Sequence, residues 1–132
     1  MKDLEQAKKA RLRAYVPYSH FKVGAAIRLK DGTFIHGANI ENASYGLSNC
    51  AERNAIFSLI SQGYETKDIE QMTVVADSKG PVSPCGACRQ VLHELLPKEA
   101  KVVLANLNGD TKVMSTDDLL PYAFETFDED DA

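Results

Sequence analysis

Two β-prone runs joined at Asp31-Gly32 place the strongest constraint on how this chain folds. They lie on either side of that dipeptide within "FKVGAAIRLKDGTFIHGANIE". Asp-Gly is a preferred pair for a tight hairpin turn, because glycine readily adopts the positive φ angles that such a turn requires. The sequence therefore predicts an antiparallel β-hairpin at the start of a sheet.

Helical and extended patterns alternate along the rest of the chain. The first 14 or so residues have helical spacing, and residues 50–61 and 88–96 carry helical apolar stripes. Buried strands are predicted in "QMTVVADSKG", "KVVLANL" and "TKVMS", and a last helix begins near Ser115 with Asp118 in capping-box position. The order α-β-β-α-β-α-β-β-α indicates a three-layer α/β/α fold with one mixed sheet of about five strands.

Length and charge narrow the class of protein. A chain of 132 residues is typical of one domain, residues 1–132. Five of the 19 acidic residues lie in the last eight, so we expect a solvated acidic tail from about residue 125. The rest is nearly neutral and has no basic stripe, which argues against a long nucleic acid as partner.

The predicted location is the cytoplasm. No apolar run approaches the length of a membrane span, and the first residues, "MKDLEQAKKARLRAY", are charged where a signal peptide is apolar. The chain has three cysteines, an odd number that cannot close into a disulfide framework. A reducing compartment suits free or metal-bound thiols.

The three cysteines stand at the predicted starts of two helices. Cys50 precedes one apolar stripe, and Cys85 and Cys88 open the other directly after Pro84. Helix N-termini favour thiolates, and two such helices leaving one sheet edge would bring the sulfurs together. Three thiolates suit tetrahedral zinc with one position left for water. A fourth ligand could come from a histidine, but none of the three lies at a familiar spacing from a cysteine. We expect these histidines on the surface or on strands: His20, His36 and His93.

Two other interpretations of the cysteines stay open at this point. A C-x-x-C pair is also typical of a redox couple, and free cysteines often pack as small apolar residues. Neither explains Glu52, a carboxylate on an apolar stripe, where desolvation demands a partner or a role. Cys50-x-Glu52 followed by Pro84-Cys85-x-x-Cys88 matches the signature of the zinc deaminases.

These residues resemble the small homotetrameric zinc-dependent cytidine deaminases of the all-cysteine ligand type. The resemblance runs from about Ala14 to Phe124, through "FKVGAA", "NIENASYG", "NCAERNA" and "PVSPCGACRQV". It implies a hydrolase of pyrimidine salvage that deaminates cytidine and deoxycytidine to uridine and deoxyuridine and releases ammonia. One zinc per chain is implied, with the ligands Cys50, Cys85 and Cys88. Glu52 would then carry every proton that moves.

The same resemblance assigns roles to polar residues near the motifs. Arg53 and Arg89 would hydrogen-bond the ligand sulfurs, although both are also ordinary surface residues by type. Asn39 and Glu41 alternate at the end of a predicted strand and therefore point to the same side. In the family this Asn-x-Glu pair holds the ribose hydroxyls.

Aromatic residues receive roles only from the resemblance. Phe21 would pack against the pyrimidine, and the backbone around Ala51 would contact the ring edge. Neighbouring chains of a homotetramer would complete each site, with Phe124 as the candidate and Tyr45 beside it. By residue type alone, Phe21 and Phe124 are equally core aromatics.

Two rival functions remain at this stage. Blasticidin-type deaminases share the cysteine and glutamate motifs but lack the segment that "NIENASY" represents here. A zinc-stabilised binding domain without chemistry would tolerate loss of Glu52 and would supply a fourth ligand. Editing deaminases that act on RNA or DNA need a basic groove, which this sequence does not offer.

Overall fold

A computed structural model describes residues 2–125, so the acidic tail predicted after them lies outside the described residues. The helices and strands follow the predicted order: α1 (Lys2–Arg11), β1 (Val23–Leu29), β2 (Phe34–Ala38), α2 (Ala51–Ser61), β3 (Ile69–Ala76), α3 (Gly86–Leu95), β4 (Lys101–Asn106), β5 (Thr111–Met114) and α4 (Thr116–Leu119). Helix α1 ends earlier than predicted. The chain leaves it so that Tyr15 can pair with Ile40, beyond the end of β2.

The five strands form one mixed sheet in the order β2-β1-β3-β4-β5. Strands β2 and β3 are both antiparallel to β1, which lies between them, and β4 is parallel to β3. Strands β2, β3 and β4 therefore point the same way. Their carboxyl ends lie at one edge of the sheet, which is where the functional residues collect.

Helices cover both faces of the sheet. Helix α1 packs on one face through a small cluster that includes Ala7, Ala26 and Val75. The larger core, on the opposite face, contains residues of α2, α3 and α4. Gly37 of β2 allows α2 to approach closely, because a Cβ atom there would overlap the backbone of Ala51 and Ala55. The predicted three-layer α/β/α fold is confirmed.

Local signals for turns and helix starts are also confirmed. Both hairpins turn at glycines with positive φ, 92° at Gly32 and 92° at Gly109. Ser115 and Asp118 form the predicted capping box at the start of α4. Within residues 2–125, no helix combines the length and the apolar composition that crossing a membrane requires.

Candidate metal centre and active site

Three cysteine side chains meet where α2 and α3 begin. Cys50 is the N-cap residue of α2, Cys85 is the N-cap residue of α3, and Cys88 lies in the first turn of α3. These two helices follow β2 and β3, whose carboxyl ends share one sheet edge. The Sγ atoms all lie within 4.8 Å of one another. The sequence had predicted this convergence.

The sulfur geometry fits a tetrahedral zinc ion. All three cysteines are free, and the Sγ atoms of Cys50 and Cys85 are 3.7 Å apart, far beyond a disulfide bond length. Zinc–sulfur bonds of about 2.3 Å at tetrahedral angles separate the sulfurs by about 3.8 Å. Thiolates are also the soft ligands that zinc accepts readily. In residues 2–125 no second group of three such side chains is close enough to hold a metal.

Histidines lie apart from this cluster. His36 on β2 contacts Gln6 of α1 at 2.7 Å, and His93 of α3 contacts Asp117 at 3.0 Å. His20 is exposed in the segment before β1 and has a positive φ of 59°. The expectation that the histidines are surface or strand residues is met for His20 and His36. His93 differs, because it lies on α3 and its side chain is only 7% exposed.

Glu52 is a buried carboxylate beside the sulfurs. It lies in the first turn of α2 and is only 4% exposed. Burial raises the pKa of Glu52 to about 7, against an opposing backbone hydrogen bond and with help from the negative charge of Cys50. The other buried carboxylate among the described residues, Asp3, is paired with Arg28 instead. Glu52 therefore has the burial and acidity of a group that accepts and returns protons near neutral pH.

Arg53 places a positive charge against the sulfur cluster. Its Nη2 atom donates to Cys50 Sγ at 3.4 Å. The pKa of Cys50 is lowered by a hydrogen bond from Cys88 and, further, by Arg53. The pKa of Cys88 is raised, because Cys88 donates to the Cys50 sulfur and is buried. Negative charge is thus favoured on Cys50, next to the guanidinium.

Arg89 makes contacts that differ from the expected ones. Its Nε donates to Pro84 O at 2.9 Å, Nη1 to Leu119 O at 2.8 Å and Nη2 to Ser83 Oγ at 2.7 Å. Each guanidinium nitrogen therefore faces an oxygen, and the expectation that Arg89 hydrogen-bonds a sulfur is corrected. The reason is that Arg89 points back along α3 toward the segment that enters the helix.

Asn39 and Glu41 lie just beyond β2, which ends at Ala38, and not on the strand itself. Ile40 between them is held by isolated bridges to Tyr15 and Asn49, so the segment stays extended. Both polar side chains point toward the segment 17–23. The shared direction that the alternation predicted is thus observed, although at a slightly different place.

The side chains of Asn39 and Glu41 form hydrogen bonds with the backbone on either side of Phe21. Asn39 Oδ1 accepts from Val23 N at 2.9 Å, and Asn39 Nδ2 donates to Phe21 O at 2.8 Å. Glu41 Oε1 accepts from the backbone N of Tyr18 at 3.1 Å and of Ser19 at 3.0 Å. The hydrogen bonds with Ser19 lower the pKa of Glu41. Glu41 therefore stays ionised at neutral pH.

The aromatic candidates are surface residues. Phe21 is 42% exposed, Phe124 is 50% exposed and Tyr45 is 67% exposed. The interpretation of Phe21 and Phe124 as core aromatics is wrong. The Tyr45 ring meets Tyr18 edge-on at 6.1 Å, and Phe124 O accepts from Gln90 Nε2 at 2.8 Å. Ala51 is fully buried at the start of α2, beside Cys50.

Asn54 is a site-supporting residue that the sequence interpretation missed. Asn54 Nδ2 donates to Ala38 O at 2.7 Å, and its Oδ1 accepts from Asn49 at 2.6 Å. It thereby joins α2 to the end of β2 and to the residue before Cys50. A polar residue directly after "CAER" on a helix that packs on a sheet was the available signal for Asn54.

Known proteins share this fold and these motifs. A family model described as the cytidine and deoxycytidylate deaminase zinc-binding region matches residues 2–105. The chain is 56% identical over 128 residues to the cytidine deaminase of Halalkalibacterium halodurans, covering 97% of this chain and 96% of that relative. The crystal structure of cytidine deaminase from Burkholderia pseudomallei aligns with a TM-score of 0.90 at 54% identity, covering 93% of this chain and 97% of that chain. The chain belongs to the cytidine and deoxycytidylate deaminase family of zinc-binding proteins.

A rival relative matches less closely. The blasticidin-S deaminase of Bacillus cereus is 33% identical over 132 residues, covering 92% of this chain and 91% of that relative. The prediction of a zinc-dependent deaminase of the cytidine deaminase family is confirmed, and the blasticidin alternative is the weaker one.

Proposed function

We propose that this chain is a zinc-dependent hydrolase that deaminates cytidine and deoxycytidine to uridine and deoxyuridine. The observation that carries the proposal is the buried Glu52 carboxylate next to three convergent sulfurs. A redox couple or a zinc-stabilised binding domain needs no such carboxylate. The high identity to a cytidine deaminase over nearly the whole chain points to the same activity.

Glu52 carries the proton transfers of the reaction. A water oxygen bonds to C4 of the cytosine ring, and the bond between C4 and the amino nitrogen breaks, so that ammonia leaves. Glu52 accepts one proton from the water and delivers it to ring N3. It then accepts the proton of the new hydroxyl on C4 and delivers it to the departing amino group, so that both protons of the water are accounted for. Bound zinc supplies the Lewis acid that makes this water acidic near neutral pH. A carboxyl with a pKa of about 7 suits both halves of this task.

Cys50, Cys85 and Cys88 hold one zinc ion per chain in this proposal. Three thiolates on a divalent cation leave an excess negative charge, which opposes proton loss from water. Arg53 offsets that charge through its hydrogen bond to Cys50. Arg89 supports the ligands indirectly, by holding the backbone of Pro84 before Cys85.

Asn39, Glu41 and Phe21 form the nucleoside-binding part of the site. Glu41 is exposed enough to meet a sugar hydroxyl, and its backbone contacts fix its direction. Phe21 offers an exposed ring, and its backbone oxygen accepts a hydrogen bond from Asn39 Nδ2. The backbone around Ala51 contacts the ring edge. A site built for a sugar favours nucleosides over free cytosine and over blasticidin S.

We further propose a homotetramer of one deaminase domain, residues 1–132, in the cytoplasm. Several exposed aromatic and aliphatic side chains lie within or after the motif segments. Side chains of this kind are common at interfaces between protein chains. They are Tyr45, Leu47, Phe57, Ile60 and Phe124. Phe124 and Tyr45 complete the site of a neighbouring chain. Free thiols at the metal centre suit a reducing compartment.

The test is the loss of ultraviolet absorbance at the cytosine band when the purified protein meets cytidine. We expect loss of absorbance with release of ammonia, and no loss after treatment with a zinc chelator. Activity should return when zinc is added back. Turnover of blasticidin S but not of cytidine would replace the proposal by the rival deaminase function.

A further inference from the structure

Asn106, the last residue of β4, is a fully buried polar side chain. A buried amide requires hydrogen-bond partners for its oxygen and its nitrogen, because desolvation without partners is costly. Asn106 finds them in two segments. One is the turn between β4 and β5, and the other is the segment 77–84 between β3 and α3, here called the Cys85 loop because it leads into that residue.

The turn fixes the orientation of the amide. Asn106 Oδ1 accepts from Asn108 N at 3.0 Å and from Asp110 N at 2.9 Å. Two backbone donors identify this atom as the oxygen, so the Nδ2 group must face the other way. Nδ2 also lies 2.8 Å from Asp110 Oδ2. The amide is therefore held in one direction.

The nitrogen holds the Cys85 loop. Asn106 Nδ2 donates to Ser78 O at 3.1 Å and to Lys79 O at 3.0 Å. The preceding residue contributes a weaker contact, from Val82 N to Ala105 O at 3.4 Å. Ala76 and Asn106 are register partners at the ends of the parallel strands β3 and β4. The loop that leaves β3 must therefore cross the end of β4, where Asn106 receives it.

The far end of the loop is anchored separately. Arg89 holds Ser83 and Pro84, the last two residues before Cys85. Cys85 itself is exposed, so burial does not fix its sulfur. The position of this sulfur depends on the backbone that delivers it, which is anchored by Asn106 at the start and by Arg89 at the end.

We infer that Asn106 is a positioning residue for the metal centre, which acts through the Cys85 loop to keep Cys85 Sγ beside Cys50. The inference rests on the proposed role of Cys85 as a zinc ligand. Metal affinity is sensitive to such support, because ligand distances must stay within about 0.2 Å of their preferred values. An amide is required at this position, since it accepts from the turn and donates to the loop at the same time.

The test compares Asn106→Ala with Asp110→Ala. Both variants lose the contact between Nδ2 and the Asp110 carboxylate, and only the first loses the hydrogen bonds to Ser78 and Lys79. Zinc affinity is measured by competition with a chelator, and coordination geometry by the ligand-field absorption of the Co²⁺-loaded protein. Thermal unfolding without metal reports the stability of the fold as a whole.

We expect Asn106→Ala to weaken zinc binding about tenfold or more and to change the Co²⁺ spectrum. Asp110→Ala should keep the zinc affinity and spectrum of the parent, even where it lowers the unfolding temperature. Parent-like zinc binding in folded Asn106→Ala, or equal losses in both variants, would overturn the inference.

Two further outcomes are informative. Asn106→Ser carries the same expectation if the alanine variant does not fold, and failure of both to fold with excess zinc would reduce Asn106 to a residue of general stability and overturn the positioning role. A parent protein that binds no zinc would reject the proposed function itself. The two failures are therefore distinguishable.

Discussion

The Arg53 guanidinium donates to the Sγ atom of Cys50 across 3.4 Å, three residues along the chain at the start of α2. The pKa of Arg53 is raised by this hydrogen bond, so the charge is permanent. Arg53→Gln should lower both zinc affinity and kcat about tenfold or more, because the thiolate loses its cationic partner. The control is Lys101→Gln, which also removes one positive charge. Lys101 is exposed at the start of β4, away from the sheet edge where the sulfurs meet. An Arg53→Gln enzyme with parent zinc affinity and kcat would show that this arginine does not support the metal centre.

Glu52→Gln should abolish most of the turnover while leaving the metal in place. The amide keeps the shape of the side chain but cannot shuttle protons, so we expect a loss of about 10²–10⁴-fold in kcat. Zinc content and unfolding temperature should match the parent. Glu94→Gln on the exposed side of α3 controls for the change of charge. Retained turnover in Glu52→Gln would remove this residue from the catalytic role.

The purified protein should contain about one zinc per chain. Cys85→Ser replaces one ligand sulfur and should therefore lose zinc. Because this side chain is exposed, the change should cost little packing. Cys88→Ser disturbs a buried position as well and should unfold at lower temperature. Elemental analysis and thermal unfolding distinguish the two. Full deaminase activity at a metal content far below one per chain would contradict the catalytic zinc.

Substrate choice should depend on Glu41. Its carboxylate is held by two backbone N–H groups, and a sugar hydroxyl is the partner we expect in the complex. Cytidine and deoxycytidine should both react, while cytosine, 3′-deoxycytidine, CMP and blasticidin S should react worse, since each lacks the sugar contact or brings a repelling phosphate. Glu41→Gln should lower kcat/KM for cytidine about tenfold, because hydrogen bonds to charged groups are the stronger ones.

The control for this series is Glu99→Gln, an exposed change after α3. Measurement of kcat/KM for all six compounds with the parent and both variants decides the matter. If cytosine or blasticidin S matched cytidine in the parent, or if Glu41→Gln left the cytidine value unchanged, the nucleoside assignment would fail.

The active form should be a homotetramer in light scattering. Phe124→Ala should lower activity if its exposed ring completes the site of a neighbouring chain. Coexpression of Phe124→Ala with Glu52→Gln should then restore part of the activity, because mixed tetramers contain sites with an intact Glu52 and a neighbour's intact Phe124. A fully active monomer, or no recovery in mixed tetramers, would contradict the shared site.

Local features of this protein were determined by the sequence itself. The hairpin turns at Asp31-Gly32 and Asn108-Gly109 and the capping box at Ser115 depend on residues a few positions apart, whose backbone preferences act without the rest of the fold. The chemistry of the centre could also be predicted from the sequence, because Cys50-x-Glu52 places a sulfur and a carboxylate within one helical turn. These predictions needed no tertiary contact.

Contacts between distant segments were decided by the tertiary structure. Arg89 faces oxygens of Ser83, Pro84 and Leu119 in place of a sulfur, since α4 and the loop before α3 both reach its guanidinium. Asn106 looked like an ordinary strand residue until the register of β3 and β4 placed the Cys85 loop above it. No local pattern encodes either contact.

The short distance between Cys50 and Cys85 depends on both the sequence and the tertiary structure. The sequence supplied thiols at the starts of two helices, and the sheet brought them to 3.7 Å across 35 positions of the chain. That distance exists because β2 and β3 are both antiparallel to β1 and therefore end at the same edge. Spacing in the sequence sets which atoms are available, and strand direction sets which of them meet.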